Sequence, residues 1–178
     1  FDPGVWAERG LIDAVDHVDE IVYTHEHPDH FSVEILRALT EKFPNVQVVS
    51  NKEISTLIAD AEIKIACSES SENVKPFTAP HEALPIPGVQ APAQSGYHYK
   101  DFFTHPGDSQ SFYETNDVLA MPFIGPWGKT GDSINKVLEL KPKYVLPIHD
   151  WHYTEEAKAW LQGVLELSLA SHGITVLP

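Results

Sequence analysis

The chain has 178 residues, of which 12 are basic and 26 acidic, for a net charge of −14. Nucleic-acid binding rests on clustered Lys and Arg, so this balance argues against nucleic acid and against an anionic membrane surface as partners. No apolar run approaches the roughly 18 residues of a membrane span, no signal peptide precedes the first strand, and the single Cys67 excludes an intrachain disulfide, which together point to a cytoplasmic protein.

The length fits a single domain, 1–178. Met121 is the only methionine, so Phe1 is not an initiator, and Phe1-Asp2-Pro3-Gly4 reads as the exit from a preceding strand. Residues 11–20 read as a short helix or turn leading into a strand, Glu20–Thr24. Phe31, Ile35, Leu36 and Leu39 have helical spacing, and Pro44-Asn45 ends that helix before a strand at 46–50. A second helix is expected at Glu53–Ala61 and a strand at Glu62–Ala66, with Cys67 a small buried residue after it. Strands follow at Val74–Ala79, Gly96–Tyr99, Asp101–Thr104 and Asp117–Met121, the middle two forming a hairpin, and the proline-rich 82–94 is a loop. The remainder reads as a helix at Ser133–Leu140, a strand at Tyr144–Pro147, a capped helix near Thr154–Ala170 stopped by Gly173, and a strand at Ile174–Leu177. Alternating strands and helices with one hairpin predict an α/β protein with a mixed sheet.

The chemistry concentrates in Thr24-His25-Glu26-His27-Pro28-Asp29-His30, directly after the apolar Ile21-Val22-Tyr23. Pro28 excludes a regular helix or strand there, so the imidazoles and the carboxylate sit on a tight loop at a strand end. Imidazole and carboxylate are the donors of zinc and its first-row neighbours. His81, Asp108 and His149 each follow a predicted strand too, and loops at one edge of a sheet are where α/β folds place their sites. Alone, His81 or His149 is more simply a structural histidine. Together the seven groups are more than one metal needs and about what two need.

In order and spacing, His25-x-His27-x-Asp29-His30, His81, Gly107-Asp108-Ser109 and His149 resemble the metallo-β-lactamase superfamily of metal-dependent hydrolases. Asp2-Pro3-Gly4, Pro106-Gly107-Asp108-Ser109 and Leu146-Pro147-Ile148-His149 look most like its L-ascorbate-6-phosphate lactonase-like branch. The resemblance implies a four-layer αββα sandwich whose first strands lie upstream of Phe1. It implies that His25, His27 and His81 hold one metal, Asp29, His30 and His149 a second, and Asp108 bridges them. It further implies a bridging hydroxide as nucleophile, with Asp29 as the catalytic residue that orients it and passes a proton to the leaving group. Zinc comes first among the metals, and manganese and iron suit the same donors.

His152 and Lys129 are candidate substrate contacts, each balanced by a plain structural role as a loop or solvated residue. His98 and His105 are expected to serve packing or to support the ligands, His17 to face solvent, and Glu26 to point away from the metals. Gly125-Pro126-Trp127-Gly128-Lys129-Thr130 ends like a phosphate-binding loop, but Phe123 stands where that motif needs its first glycine. Phe123–Lys129 is read instead as a wall of the active-site mouth. The expected function is hydrolysis of a small ester, lactone or phosphodiester, with a small-molecule substrate as the partner and a homo-oligomer left open. The alternatives are a non-catalytic metal-binding protein of the same fold and a nuclease of the superfamily, the latter disfavoured by charge.

Overall fold

The computed structural model describes residues 1–7 and 9–178. The chain divides into two compact units, Phe1–Pro76 with Pro92–Ser95, and Phe77–Ala91 with Gly96–Pro178.

The first unit alternates helix and strand: α1 (Arg9–Ala14), β1 (Glu20–Tyr23), α2 (Val33–Lys42), β2 (Gln47–Ser50), α3 (Lys52–Asp60) and β3 (Cys67–Ser68). The strands lie side by side in the order β1-β2-β3, all parallel, with Ile21 opposite Val48 and Val22 opposite Val49. β-branched residues fit this pleated, doubly covered surface. Both longer helices start on a side-chain cap, Ser32 accepting from the Ile35 amide and Asn51 from the Ile54 amide. Their apolar stripes, Ile35-Leu36-Leu39 and Ile54-Ile58, meet Ile21, Tyr23, Phe31 and Val48 in one core.

The strand expected at Glu62–Ala66 does not form, and β3 is only Cys67–Ser68. Glu62 takes a left-handed conformation (φ 57°), and the Ile63 amide then donates back to the Ile58 carbonyl. The Glu62 and Ile63 amides close α3 and the Ile65 amide turns back to Ile63 O, so the parallel ladder begins only where Ala66 O accepts from Val48 N, 3.0 Å. Cys67 is half-buried rather than buried, and burial pushes its thiol above its ordinary value.

β4 (Val74–Phe77) carries the chain from the first unit into the second. The second unit continues with β5 (Gly96–Tyr99), β6 (Phe103–His105), β7 (Val118–Pro122), α4 (Thr130–Leu140), β8 (Tyr144–Ile148), α5 (Glu155–Leu169), a single 3-10 turn (Ala170–His172) and β9 (Thr175–Val176). β5 and β6 pair antiparallel as the expected hairpin, whereas β6, β7, β8 and β9 are parallel neighbours. Parallel pairing requires three crossovers: α4 makes the one from β7 to β8, α5 the one from β8 to β9, and the segment 106–117, which holds no helix, the one from β6 to β7. The α5 residues Leu161, Leu165 and Leu169 close over Leu119, Met121, Val137 and Val145 in a second core. Gly173 stops this helix as expected, in the left-handed conformation (φ 75°).

The class is therefore α/β with both parallel and antiparallel pairing. Among the described residues no helix is long and apolar enough to cross a membrane.

Candidate metal centre

In the first unit the ligand-type residues leave the carboxyl end of β1, the edge at which parallel sheets present their sites. The loop turns through His27-Pro28-Asp29-His30, with the His30 and Phe31 amides both donating to the His27 carbonyl. Glu26 is exposed on the outside of this turn, as expected, while His25 and His30 are buried. Val5 N donates to Pro28 O at 2.8 Å, and Gly4 passes so close that a Cβ there would overlap the Asp29 carbonyl. Only glycine permits that approach.

The anchor of this half is Asp2, which sequence reasoning used only as part of a strand exit. Its buried carboxylate accepts from Thr24 N and Thr24 Oγ1, both at 2.7 Å, and from His30 Nδ1 at 2.9 Å. Because the Thr24 hydroxyl spends its proton on Asp2, it receives one from His25 Nδ1 at 3.1 Å. Both imidazoles are thus held as Nδ1–H tautomers, with the lone pair on Nε2. His25 Nε2 faces His27 Nδ1 at 3.1 Å. Two nitrogens on one tetrahedral zinc are separated by roughly 3.3 Å, given Zn–N of about 2.0–2.1 Å. Asp29 Oδ2 lies 3.6 Å from His30 Nε2. Tyr23 precedes the loop with its hydroxyl fully buried and without a hydrogen-bond partner among the described residues; burial first and the Asp2 charge second push its phenol well above the ordinary value.

In the second unit the corresponding residues leave the ends of β6 and β8 and the loop after β4. His149 Nε2 lies 3.2 Å and His81 Nε2 3.6 Å from the same oxygen, Asp108 Oδ2. Asp108 follows Gly107, whose φ of 60° makes the turn out of β6. His149 itself is left-handed (φ 65°), which swings its ring off the strand so that Nδ1 donates to Ile124 O at 2.7 Å. His81 Nδ1 donates to Glu82 O at 2.6 Å. Here too the outward nitrogen is tied to an oxygen and the inward one keeps the lone pair.

Glu82 was not singled out from the sequence, yet it joins two of these segments. Its amide donates to Asp108 O (3.0 Å), and its carboxylate accepts from Gln110 N and Ser111 Oγ, both at 2.8 Å. A carboxylate after a histidine has no local signature; its partners lie 28 and 29 residues away.

The remaining candidates divide clearly. His105 is buried and accepts from Gly107 N at 3.1 Å, a turn-forming role. His98 stacks on Phe77 and bonds Thr104, in agreement with packing. His17 is exposed beside Asp19. His152 is exposed with its ring 6.2 Å from that of His149, and Lys129 is exposed at the start of α4, its carbonyl accepting from Gln110 Nε2.

The donor set and its outer hydrogen bonds suit first-row divalent metals. Residues 1–149 match the family described as the beta-lactamase superfamily domain, and the chain belongs to that family. This bears out the superfamily and its fold. Protein Rv0786c of Mycobacterium tuberculosis is 23% identical over all of this chain and 87% of its own length. Among solved structures, a metal-dependent hydrolase from Parabacteroides distasonis superposes with a TM-score of 0.68 at 19% identity, covering 93% of this chain and 78% of that one. Igni18, a metallo hydrolase from Ignicoccus hospitalis, gives 0.61 at 16% identity over 89% and 75%. A diphosphatase of the PhnP family gives 0.55 at 20% identity over 99% and 75%. At these identities the likeness is one of fold.

Proposed function

We propose that the chain is a metal-dependent hydrolase whose two half-sites supply one dinuclear centre, and that it cleaves a small ester, lactone or phosphodiester. As the motif resemblance implies, His25, His27 and His81 would hold one ion, Asp29, His30 and His149 the other, and Asp108 both. The observation that carries this reading is the tautomer pattern. His25, His30, His81 and His149 each give Nδ1–H to an oxygen, of Thr24, Asp2, Glu82 and Ile124 respectively, so that each keeps its basic nitrogen for an ion.

Two divalent ions, when bound, supply a lowered pKa for water and an electrophile for a carbonyl or phosphoryl oxygen. The protein does the rest. The buried Asp2–Thr24–His25 chain keeps the ligand tautomers fixed, and Asp29 accepts the proton of the attacking water and returns it to the leaving group. Zinc is the first choice, and manganese and iron suit the same nitrogen and oxygen donors. The charge of −14 favours a small substrate over nucleic acid, and a cytoplasmic setting agrees with the single cysteine.

The test is removal of bound metal with a chelator, reloading with zinc or manganese, and assay against a phosphodiester and a panel of lactones. Metal-dependent turnover that disappears on chelation supports the hydrolase. Two bound metals with no turnover of any member would favour a metal-binding protein of the same fold.

A further inference from the structure

Between β7 and α4 the chain makes a short loop, 123–129, whose one large apolar side chain with exposed surface is Trp127. The indole meets the His149 ring at 5.3 Å and 65° and the His81 ring at 5.9 Å and 67°. Neither imidazole lies flat on it, and the side chain remains only half-buried. Accessible indole surface therefore borders the two histidines that converge on Asp108.

The loop is built to hold the ring there. A Cβ on Gly125 would stand 2.6 Å from Trp127 Cε2, so the backbone at Gly125 seats the indole directly. A Cβ on Gly128 would stand 2.8 Å from Gln110 Nε2, which instead passes beneath to the Lys129 carbonyl (3.1 Å) and to Ser133 Oγ. Thr130 Oγ1 donates to Phe123 O at 2.9 Å and Gly128 N to Gly125 O at 3.2 Å, closing the loop on itself. Gln110 is in turn fixed by its amide to Glu82. The indole is thus preorganised, and a substrate ring laid against it would not have to order it.

We propose that Trp127 is a specificity-determining residue that selects substrates carrying a planar ring on the reacting acyl or phosphoryl centre. This deepens the hydrolase reading and rests on the same metal-loaded site. Phenylphosphonate and methylphosphonate carry the same charged group and differ only in the ring, so their affinity ratio isolates the contact.

Titration calorimetry of the zinc-loaded protein is expected to show phenylphosphonate binding about 5-fold tighter than methylphosphonate, the order of one aromatic contact. Trp127→Ala should bring the ratio to about 1 while leaving methylphosphonate affinity and metal content within about 2-fold, and Trp127→Phe should keep most of it. Equal affinities in the unsubstituted protein, a ratio unmoved in Trp127→Ala, or no binding of either phosphonate overturns the inference. A ratio that behaves as expected in a protein that hydrolyses no phosphodiester or lactone would uphold ring recognition and overturn hydrolysis instead.

Discussion

Asp2 is where one side chain governs several others. Its carboxylate is buried and spends both oxygens on Thr24 and His30, so the orientation of two imidazoles hangs on it. Partners of this kind cost about 10- to 100-fold in metal affinity when removed. Asp2→Asn is accordingly expected to lower zinc affinity by about 10-fold in competition against a chromophoric chelator, with the circular dichroism spectrum retained. Unchanged affinity would show that the ligands orient without it. Asp29 carries a different load. Asp29→Asn preserves shape and should reduce kcat by about 100-fold or more, the scale of a lost general acid–base group, while the thermal midpoint moves little. Normal turnover in that variant, with two metals bound, would remove Asp29 from the proton path. Tyr23 gives the opposite kind of case, since its buried hydroxyl has no partner among the described residues. Tyr23→Phe deletes only that polar group and should be neutral or stabilising by up to about 1 kcal/mol in urea unfolding. A loss above that would mean the hydroxyl has a use.

At the scale of elements, parallel strands followed by helices place ligands at carboxyl ends, and this much was legible in the sequence. β1 and β8 are short, mainly apolar runs that lead into His25 and His149, and β6 leads into Gly107-Asp108, so that both the strand and its ligand are local signals. The groups that orient those ligands were not legible. Asp2 reaches Thr24 across 22 positions and His30 across 28, and Glu82 reaches Gln110 across 28, distances at which no periodicity survives. β3 was placed too early because Glu62–Ala66 has strand-like composition, while the left-handed Glu62 was invisible in it. Asn51 shows how an element end can serve a loop as well. It caps α3 through Ile54 N and gives its amide hydrogens to Ala93 O (2.9 Å) and Thr24 O (3.4 Å). Asn51→Ala should cost about 1–2 kcal/mol, the value of a helix cap, measured by chemical denaturation. A cost near zero would mean that a water replaces the cap.

For the whole molecule, each compact unit has its own core, Leu36, Ile54 and Val48 in one and Leu119, Val145 and Leu165 in the other. Each also brings its own part of the donor set, His25, His27, Asp29 and His30 from the first and His81, Asp108 and His149 from the second. On the proposed function the chain binds two ions, and anything bound only by the folded chain stabilises it by mass action. The most direct measurement of that account is metal stoichiometry by elemental analysis of the purified protein beside Asp108→Ala. The account predicts two first-row metal ions per chain, falling to one or fewer in the variant. A protein that retains no metal, or one whose stoichiometry is unmoved by loss of Asp108, would contradict it.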